Sequence, residues 1–408
     1  MSKVAQYLNE HLQGEVTTAD AVRERFSTDA SILQIVPDMV AYPRSTSDIR
    51  KIARFSWQLA EKGHKLPITV RGAGSDQTGA AIGSGVVVNM LAHMTSIYEL
   101  DPKQKLVRVQ PGVTFGGLND ALALHGLTVP CGPVSAPYST IGGAIANNAS
   151  GVQSDKYGST REWVKQLEVV LANGDVIQTG RISKRELGRK KGQQDFEGEI
   201  YRGIDTILSD HAELINSIAL DVPDNIGYNI VDVERKDGSV DLTPLFVGSQ
   251  GTLGIVSEVI MKAIEVARET LVGAIAFASH DSARDGLDAL RELRLTSLEL
   301  IDGRLFEAAL AEGKRYPFYA GARDQGDVAA VVVFEVDDHS GRAKKHIAKK
   351  IAKLFASDDS VTVAIEKAGE AAEALRALRY VTALTVGAHK SDDSTPPILD
   401  GAYIPPER

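Results

Sequence analysis

The chain has 408 residues, of which 43% are hydrophobic and 24% charged, with nine histidines, one cysteine and a formal net charge of -9. At roughly 100–200 residues per domain that length calls for two or three domains, and the balanced composition excludes wholesale disorder, collagen-like repeats and coiled coil. One cysteine excludes an internal disulfide, no run approaches the roughly 18 apolar residues of a membrane span, and the acidic surplus argues against nucleic acid as the main partner.

The opening MSKVAQYLNEHLQGEV lacks the apolar core of a signal peptide, which points to the cytoplasm. A helix is predicted over 47–60: Ser45 or Ser47 caps it, Ile49, Ile52, Ala53, Leu59 and Ala60 make one face, and Gly63 closes it. Short β-branched runs at 65–71, 85–89, 96–101 and 105–110 read as strands. A second helix is predicted over 114–125, then an irregular passage over 128–157. Strands at 163–171 and 175–179 follow, joined at Asn173-Gly174 in a hairpin. The stretch 181–202 carries seven basic and four acidic residues with few apolar ones, so it reads as an exposed excursion. Its Arg189-Lys190-Lys191 cluster is either a solvated loop or a contact for anionic lipid or a partner.

From Glu269 onward the predicted order is strand 270–278, helix 282–294, strand 297–301, strand 328–336, helix 342–355 and strand 360–365. That βαββαβ order reads as a split βαβ, ferredoxin-like unit, with a helix and loop inserted over 304–326. In the lysine-rich second helix, Ala343, Ile347, Ile351 and Leu354 form an apolar face suited to packing on its own sheet. Membrane-surface docking is the alternative use.

Of the 37 glycines, 13 fall between Gly72 and Gly151, a density that suits either a cofactor cradle or a tightly turned β-domain. Gly72-Ala73-Gly74 after a strand invites a dinucleotide-fold reading, but the third glycine is misplaced and a strand, not a helix, follows. A glycine turn offering N–H groups to phosphate, with Ser75 and Thr78 hydroxyls as further donors, fits better. A second cradle is read at Gly142-Gly143, opening a turn of small residues where free N–H groups favour anions. Two such loops suit a dinucleotide. The scattered histidines make no metal pattern, and no G-x-S-x-G elbow is present.

Five segments, PDMVAYPRSTSDIRKIA, ITVRGAGSDQTGAA, VQPGVTFGGLNDAL, VPCGPVSAPYSTIGGAIANNASG and LFVGSQGTLGIVSEV, together resemble the PCMH-type FAD-binding domain of the vanillyl-alcohol oxidase superfamily. The likeness covers about 35–263 and is nearest to the D-lactate dehydrogenase and glycolate oxidase FAD-subunit branch. It implies an α+β chain: an N-terminal helical segment (1–34), a two-part FAD domain (35–265) and a ferredoxin-like substrate or cap domain (266–408) that is incomplete at its C-terminus. The implied FAD contacts are Arg71, Gly72, Ala73, Gly74, Ser75 and Asp76 for the pyrophosphate. Pro133, Ser135, Ser139, Gly142, Gly143, Asn147 and Gly151 would flank the isoalloxazine and ribityl chain, and Gly251, Gly254 and Ile255 would return to the flavin.

The first loop lacks the histidine that links flavin covalently in many relatives, so non-covalent FAD is expected, with Cys131 a small buried apolar residue. Arg379 matches the family arginine that binds substrate carboxylate, its alternative being a surface arginine, and Lys390 is a second anion contact beside His389, a loop residue. No segment of the family's G-D-G-N-x-H type occurs. The resemblance implies oxidation of a D-2-hydroxy acid, D-lactate or glycolate, by hydride transfer to flavin N5, with a quinone, cytochrome or other acceptor. The alternatives are an FAD-binding subunit or fragment completed by a partner subunit, and a sugar or alditol oxidase. The location implied is cytoplasmic, with peripheral attachment at the inner membrane face as the variant.

Overall fold

The computed structural model describes residues 3–217, 227–267, 270–337 and 340–381. They divide into two units. Unit one draws on Met1–Ser150 and Ser159–Ile264, unit two on Gly151–Gly158 and Glu265–Thr395.

Unit one holds two sheets. The first runs in the order Glu15–Thr17, Met39–Tyr42, Val86–Asn89, Ile68–Arg71, with the last three strands parallel and the first antiparallel. Val86–Asn89 sits inside the parallel set and is buried at every residue, as a strand covered on both faces must be. Helix Thr46–Glu61 connects two of the parallel strands and lays Ile49, Ile52 and Ala53 against Met39, Val86 and Val88. Its Asp48 is fully buried and accepts the N–H groups of Gln13, Gly14 and Arg44 at 2.8, 3.0 and 3.0 Å. The first 34 residues are therefore not a separate helical piece. They give the strand Glu15–Thr17 and are wired into the same sheet, because Asp48 needs their N–H groups as donors.

The second sheet is antiparallel, in the order Ile97–Asp101, Leu106–Val109, Ile255–Lys262, Val164–Val170, Val176–Gln178. The predicted turn is present, with Gly174 at φ +83°, a conformation open to glycine. The stretch 181–202 is not a loop. It forms helix Lys184–Lys191 and the start of helix Phe196–Asp210, capped by Ser183 and Asp195. Lys190 pairs with Glu197 and Lys191 with Asp205, so these two cations are already engaged.

Unit two is one antiparallel sheet in the order Ser297–Asp302, Ala330–Val336, Leu271–Phe277, Val361–Glu366. Helices His280–Arg291 and Gly341–Leu354 cover one face, where Ala283, Leu290 and Ile351 meet Leu271, Ile275 and Phe277. Ile347 and Ile351 of the lysine-rich helix thus pack on their own sheet, while Leu354 stays exposed. Helices Gly303–Ala311, Pro317–Arg323 and Glu370–Ala377 cover the other face, so the insertion is two helices instead of a helix and loop. With both faces covered, Leu271–Phe277 and Ala330–Val336 are buried along their whole length. Among the described residues no helix is long and apolar enough to cross a membrane.

Candidate cofactor site

Four backbone segments of unit one enclose a cleft of about 230 Å³. The first leaves strand Ile68–Arg71 as Gly72–Asp76. Gly74 has φ +74°, and a Cβ there would lie 2.2 Å from Nη2 of Arg71. A Cβ on Gly72 would lie 2.1 Å from Oγ1 of Thr140, so the first loop touches the second with no room for a side chain.

The second segment is helix Ile141–Ala146. Thr140 caps it by accepting the Gly143 N–H at 3.2 Å. The Gly142 N–H donates to the Pro111 carbonyl at 2.8 Å, and a Cβ on Gly142 would meet Pro111 Cβ at 2.6 Å. The third segment is the turn at 133–139, closed by N–H donation from Ala136 to Pro133 O and from Ser139 to Ser135 O, both at 2.8 Å. The fourth follows Phe246. Gly248 and Gln250 donate their N–H groups to Ile145 and Ala146 at 2.8 Å, which satisfies carbonyls left open at the helix end. Replacing Thr140 with alanine removes the cap and is expected to cost about 1 kcal/mol, measurable as a lowered urea midpoint.

Gly72, Ala73, Gly74, Ser75, Asp76, Pro133, Ser135, Ser139, Gly142, Gly143, Asn147, Gly251, Gly254 and Ile255 all line this cleft. Arg71 and Gly151 do not. Arg71 is buried, donates from Nη1 to the carbonyls of Thr28 (2.8 Å) and Ala81 (3.3 Å), and stacks over the Phe26 ring at 5.1 Å. It braces the loop from behind. Gly151 belongs to unit two. Thr78 also departs from expectation: its hydroxyl and its N–H both donate to Asp76 Oδ2 at 2.8 Å, so the hydroxyl hydrogen is committed within the loop. Among the described residues that line the cleft, Asp76 is the ionisable one. Ser139 is 6% exposed, and its hydroxyl has no hydrogen-bond partner among the described residues.

Sequence reasoning assigned no role to Pro111, Thr140 or Gln250, which also line the cleft. A Pro-Gly pair at 111–112 and a threonine just before a Gly-Gly pair were the available signals. Cys131 lies in the core of unit one, 1% exposed, and burial pushes its thiol up to about 12.

Arg379 lies in unit two and is not a surface residue. It is 8% exposed, with Nε and Nη2 on Glu299 Oε1 at 3.0 and 2.9 Å and Nη1 on Glu335 Oε1 at 2.9 Å. Arg376 Nε reaches the same Glu335 oxygen at 3.4 Å. Burial raises the Glu299 carboxyl above its usual range although Arg379 pulls the other way. Lys390 and His389 lie outside the described residues. Among the described residues no group of His, Cys, Asp or Glu side chains could hold a metal ion.

Residues 37–180 match a family model described as an FAD binding domain. The D-2-hydroxyglutarate dehydrogenase of Pantoea ananatis is 32% identical over 298 residues, 72% of this chain and 29% of that protein. The glycolate oxidase subunit GlcD of Bacillus subtilis is 35% identical over 248 residues, 60% of this chain and 41% of that protein. The chain therefore spans less than half the length of these relatives. Among solved structures, an alkyldihydroxyacetonephosphate synthase shares the fold with a TM-score of 0.65 at 16% identity, covering 95% of this chain and 65% of that one.

The cleft residues fit FAD. Glycine stands where a Cβ would clash, backbone N–H groups and the unpartnered Ser139 hydroxyl are available to phosphate and ribityl oxygens, and the lining is otherwise mostly small or apolar.

Proposed function

Because residues 37–180 match an FAD binding domain, we propose that the chain is a PCMH-type flavoprotein that oxidises a D-2-hydroxy acid to the 2-oxo acid, with the acids of the D-lactate, glycolate and D-2-hydroxyglutarate kind as candidates. The observation that carries this reading is the glycine-walled cleft, together with relatives named as a D-2-hydroxyglutarate dehydrogenase and a glycolate oxidase subunit. When bound, FAD supplies the two-electron acceptor, and a quinone or cytochrome would reoxidise it. Gly72–Ser75, Ser139, Gly142, Gly143 and Gly251 would hold the cofactor through N–H and hydroxyl donors. No histidine stands in the first loop and the one cysteine is buried with its thiol protonated, which supports non-covalent attachment.

Unit two would be the substrate cap. Its βαββαβ order and its antiparallel sheet, second strand outermost and first strand inside, support a ferredoxin-like connection. Arg379 would orient the substrate carboxylate with its planar fork, and a carboxylate arriving there must share the guanidinium with Glu299 and Glu335.

The test is the visible spectrum of the purified chain, then anaerobic addition of D-lactate, glycolate, D-2-hydroxyglutarate and L-lactate in turn. A flavin band that acid releases and one D-acid bleaches is expected. A flavin that none of the acids bleaches would overturn turnover by these 408 residues while leaving cofactor binding intact. Protein that stays colourless after incubation with FAD would overturn both.

A further inference from the structure

Unit one is interrupted by the eight-residue excursion Gly151–Gly158, which belongs to unit two. The base of the excursion is closed inside unit one. Ser150 and Ser159 form an isolated antiparallel bridge, and Thr160 donates its N–H (2.9 Å) and its hydroxyl (2.6 Å) to the Ala149 carbonyl.

The next residue, Arg161, lies in the short helix Thr160–Trp163 and is 9% exposed. It bonds three other pieces of unit one. Its N–H donates to Oδ1 of Asn148 at 3.0 Å, and its Nη2 donates to the carbonyls of Val247 at 3.0 Å and Gly227 at 3.4 Å. Gly248, at φ +94°, sits where these pieces converge: a Cβ there would lie 3.1 Å from Gly227 O, 3.3 Å from Arg161 Nη2 and 3.4 Å from Asn148 Cβ.

Two of the three pieces are walls of the cofactor cleft. Asn147 and Ala149 flank Asn148 on the first, and Ser249, Gln250 and Gly251 follow Val247 on the second. Both walls are conformationally demanding. Asn148 sits at φ +49° and Gln250 at φ +50°, two of the four non-glycine residues found in the left-handed region among the described residues. Such conformations persist where the surrounding bonds over-determine them. At Asn148 that support includes the Arg161 N–H, and the turn that carries Gln250 hangs from a buried carbonyl seated on the Arg161 guanidinium. A hydrogen bond from a charged donor is stronger than a neutral one, and a buried carbonyl that loses its donor is costly.

We propose that Arg161 is a positioning residue for the cofactor cleft: by holding Asn148 and the Val247 carbonyl at once, it sets how the wall at Asn147 and Ala149 stands against the wall at Ser249, Gln250 and Gly251. The proposal rests on the FAD reading for its binding arm only.

The test titrates FAD into the unaltered full chain and into Arg161→Met, Arg161→Lys and Asn148→Gly, and follows the visible circular dichroism of the bound flavin and amide hydrogen exchange. Arg161→Met is expected to weaken FAD binding about tenfold and to change the flavin dichroism. Arg161→Lys keeps the cation without the planar group and should fall between the two. Asn148→Gly suits the left-handed backbone and removes the acceptor alone, so it is expected to fold and to weaken binding about threefold. Exchange should quicken at Gly248 and Gln250, whose N–H groups reach Ile145 and Ala146, while strand Ile255–Lys262 stays protected. Unmoved affinity and dichroism in a folded Arg161→Met would overturn the proposal, as would the same result in both Arg161→Lys and Asn148→Gly if Arg161→Met does not fold. Equal quickening throughout Ile255–Lys262 would also overturn it, because the loss would then be general. If the unaltered chain takes up no FAD, the cofactor reading fails, and exchange at Gly248 and Gln250 alone decides whether Arg161 positions these walls.

Discussion

Arg379→Met is expected to destabilise unit two by about 3–5 kcal/mol, the range for removing one partner of a buried ion pair. Glu299, already raised by burial, would lose its guanidinium, and Glu335, 3% exposed, would be left with Arg376 at 3.4 Å in place of the closer Arg379. The sign of the pH response follows from the same fact. A carboxyl whose folded pKa is raised binds its proton more readily in the folded chain, so the stability it contributes is lost as pH rises through that value. The variant should therefore be more stable at pH 5 than at pH 7, read as urea midpoints at the two values. Adding Glu335→Gln should recover part of the loss at pH 7, because one of the carboxylates facing the lost guanidinium is then uncharged. If Arg379→Met unfolds at the unaltered midpoint, Arg379 is not holding these carboxylates. Arg379→Lys keeps a cation without the fork, so a raised KM in a folded chain would separate carboxylate binding from structural pairing.

Gly142→Val is expected to abolish FAD retention. The new Cβ would meet Pro111 Cβ at 2.6 Å and the Pro111 carbonyl oxygen at 3.0 Å. Pro111 cannot easily withdraw, because the next residue, Gly112, donates its N–H to Met94 O at 2.8 Å and has Met90 O directly against it. Overpacking of this kind costs about 1–3 kcal/mol, and the strain falls on a wall of the cleft. The flavin absorbance per chain after gel filtration reads the effect. Gly203→Ala is the control: it lies in helix Phe196–Asp210 with nothing near its Cβ, so flavin content should be unchanged and the melting temperature should rise slightly. Equal flavin loss in both variants would mean that the Gly142 contact with Pro111 is not what matters.

Much of this was legible in the sequence, for identifiable physical reasons. The apolar spacing of Ile49, Ile52 and Ala53 and the Asn-Gly turn at 173–174 are local signals, and both elements formed where they pointed. The glycine loops were legible because backbone approach leaves few other residue choices. What failed depended on partners distant in sequence. The excursion expected at 181–202 is helical because Phe196, Ile200, Ile204 and Leu208 recur every four residues and reach the core of unit one. Half of that stripe, Ile204 and Leu208, lies beyond the charged stretch. Arg71 suited phosphate by its place beside a glycine turn, yet its guanidinium is engaged by carbonyls of Thr28 and Ala81. Likewise nothing local to Arg379 announces Glu299 and Glu335, which stand 80 and 44 residues away.

The excursion Gly151–Gly158 bears on how the protein can be taken apart. A cut after Ile264 looks like a clean module boundary in a linear map, yet a piece beginning at Glu265 would lack Lys156, Tyr157 and Gln153. Its Asp337 would then keep the Thr296 hydroxyl but lose the Lys156 cation, and its Glu335 would keep Arg379 and Arg376 but lose the Gln153 amide. The two units are interleaved in the gene, and transplanting either one into another protein requires carrying or replacing those eight residues.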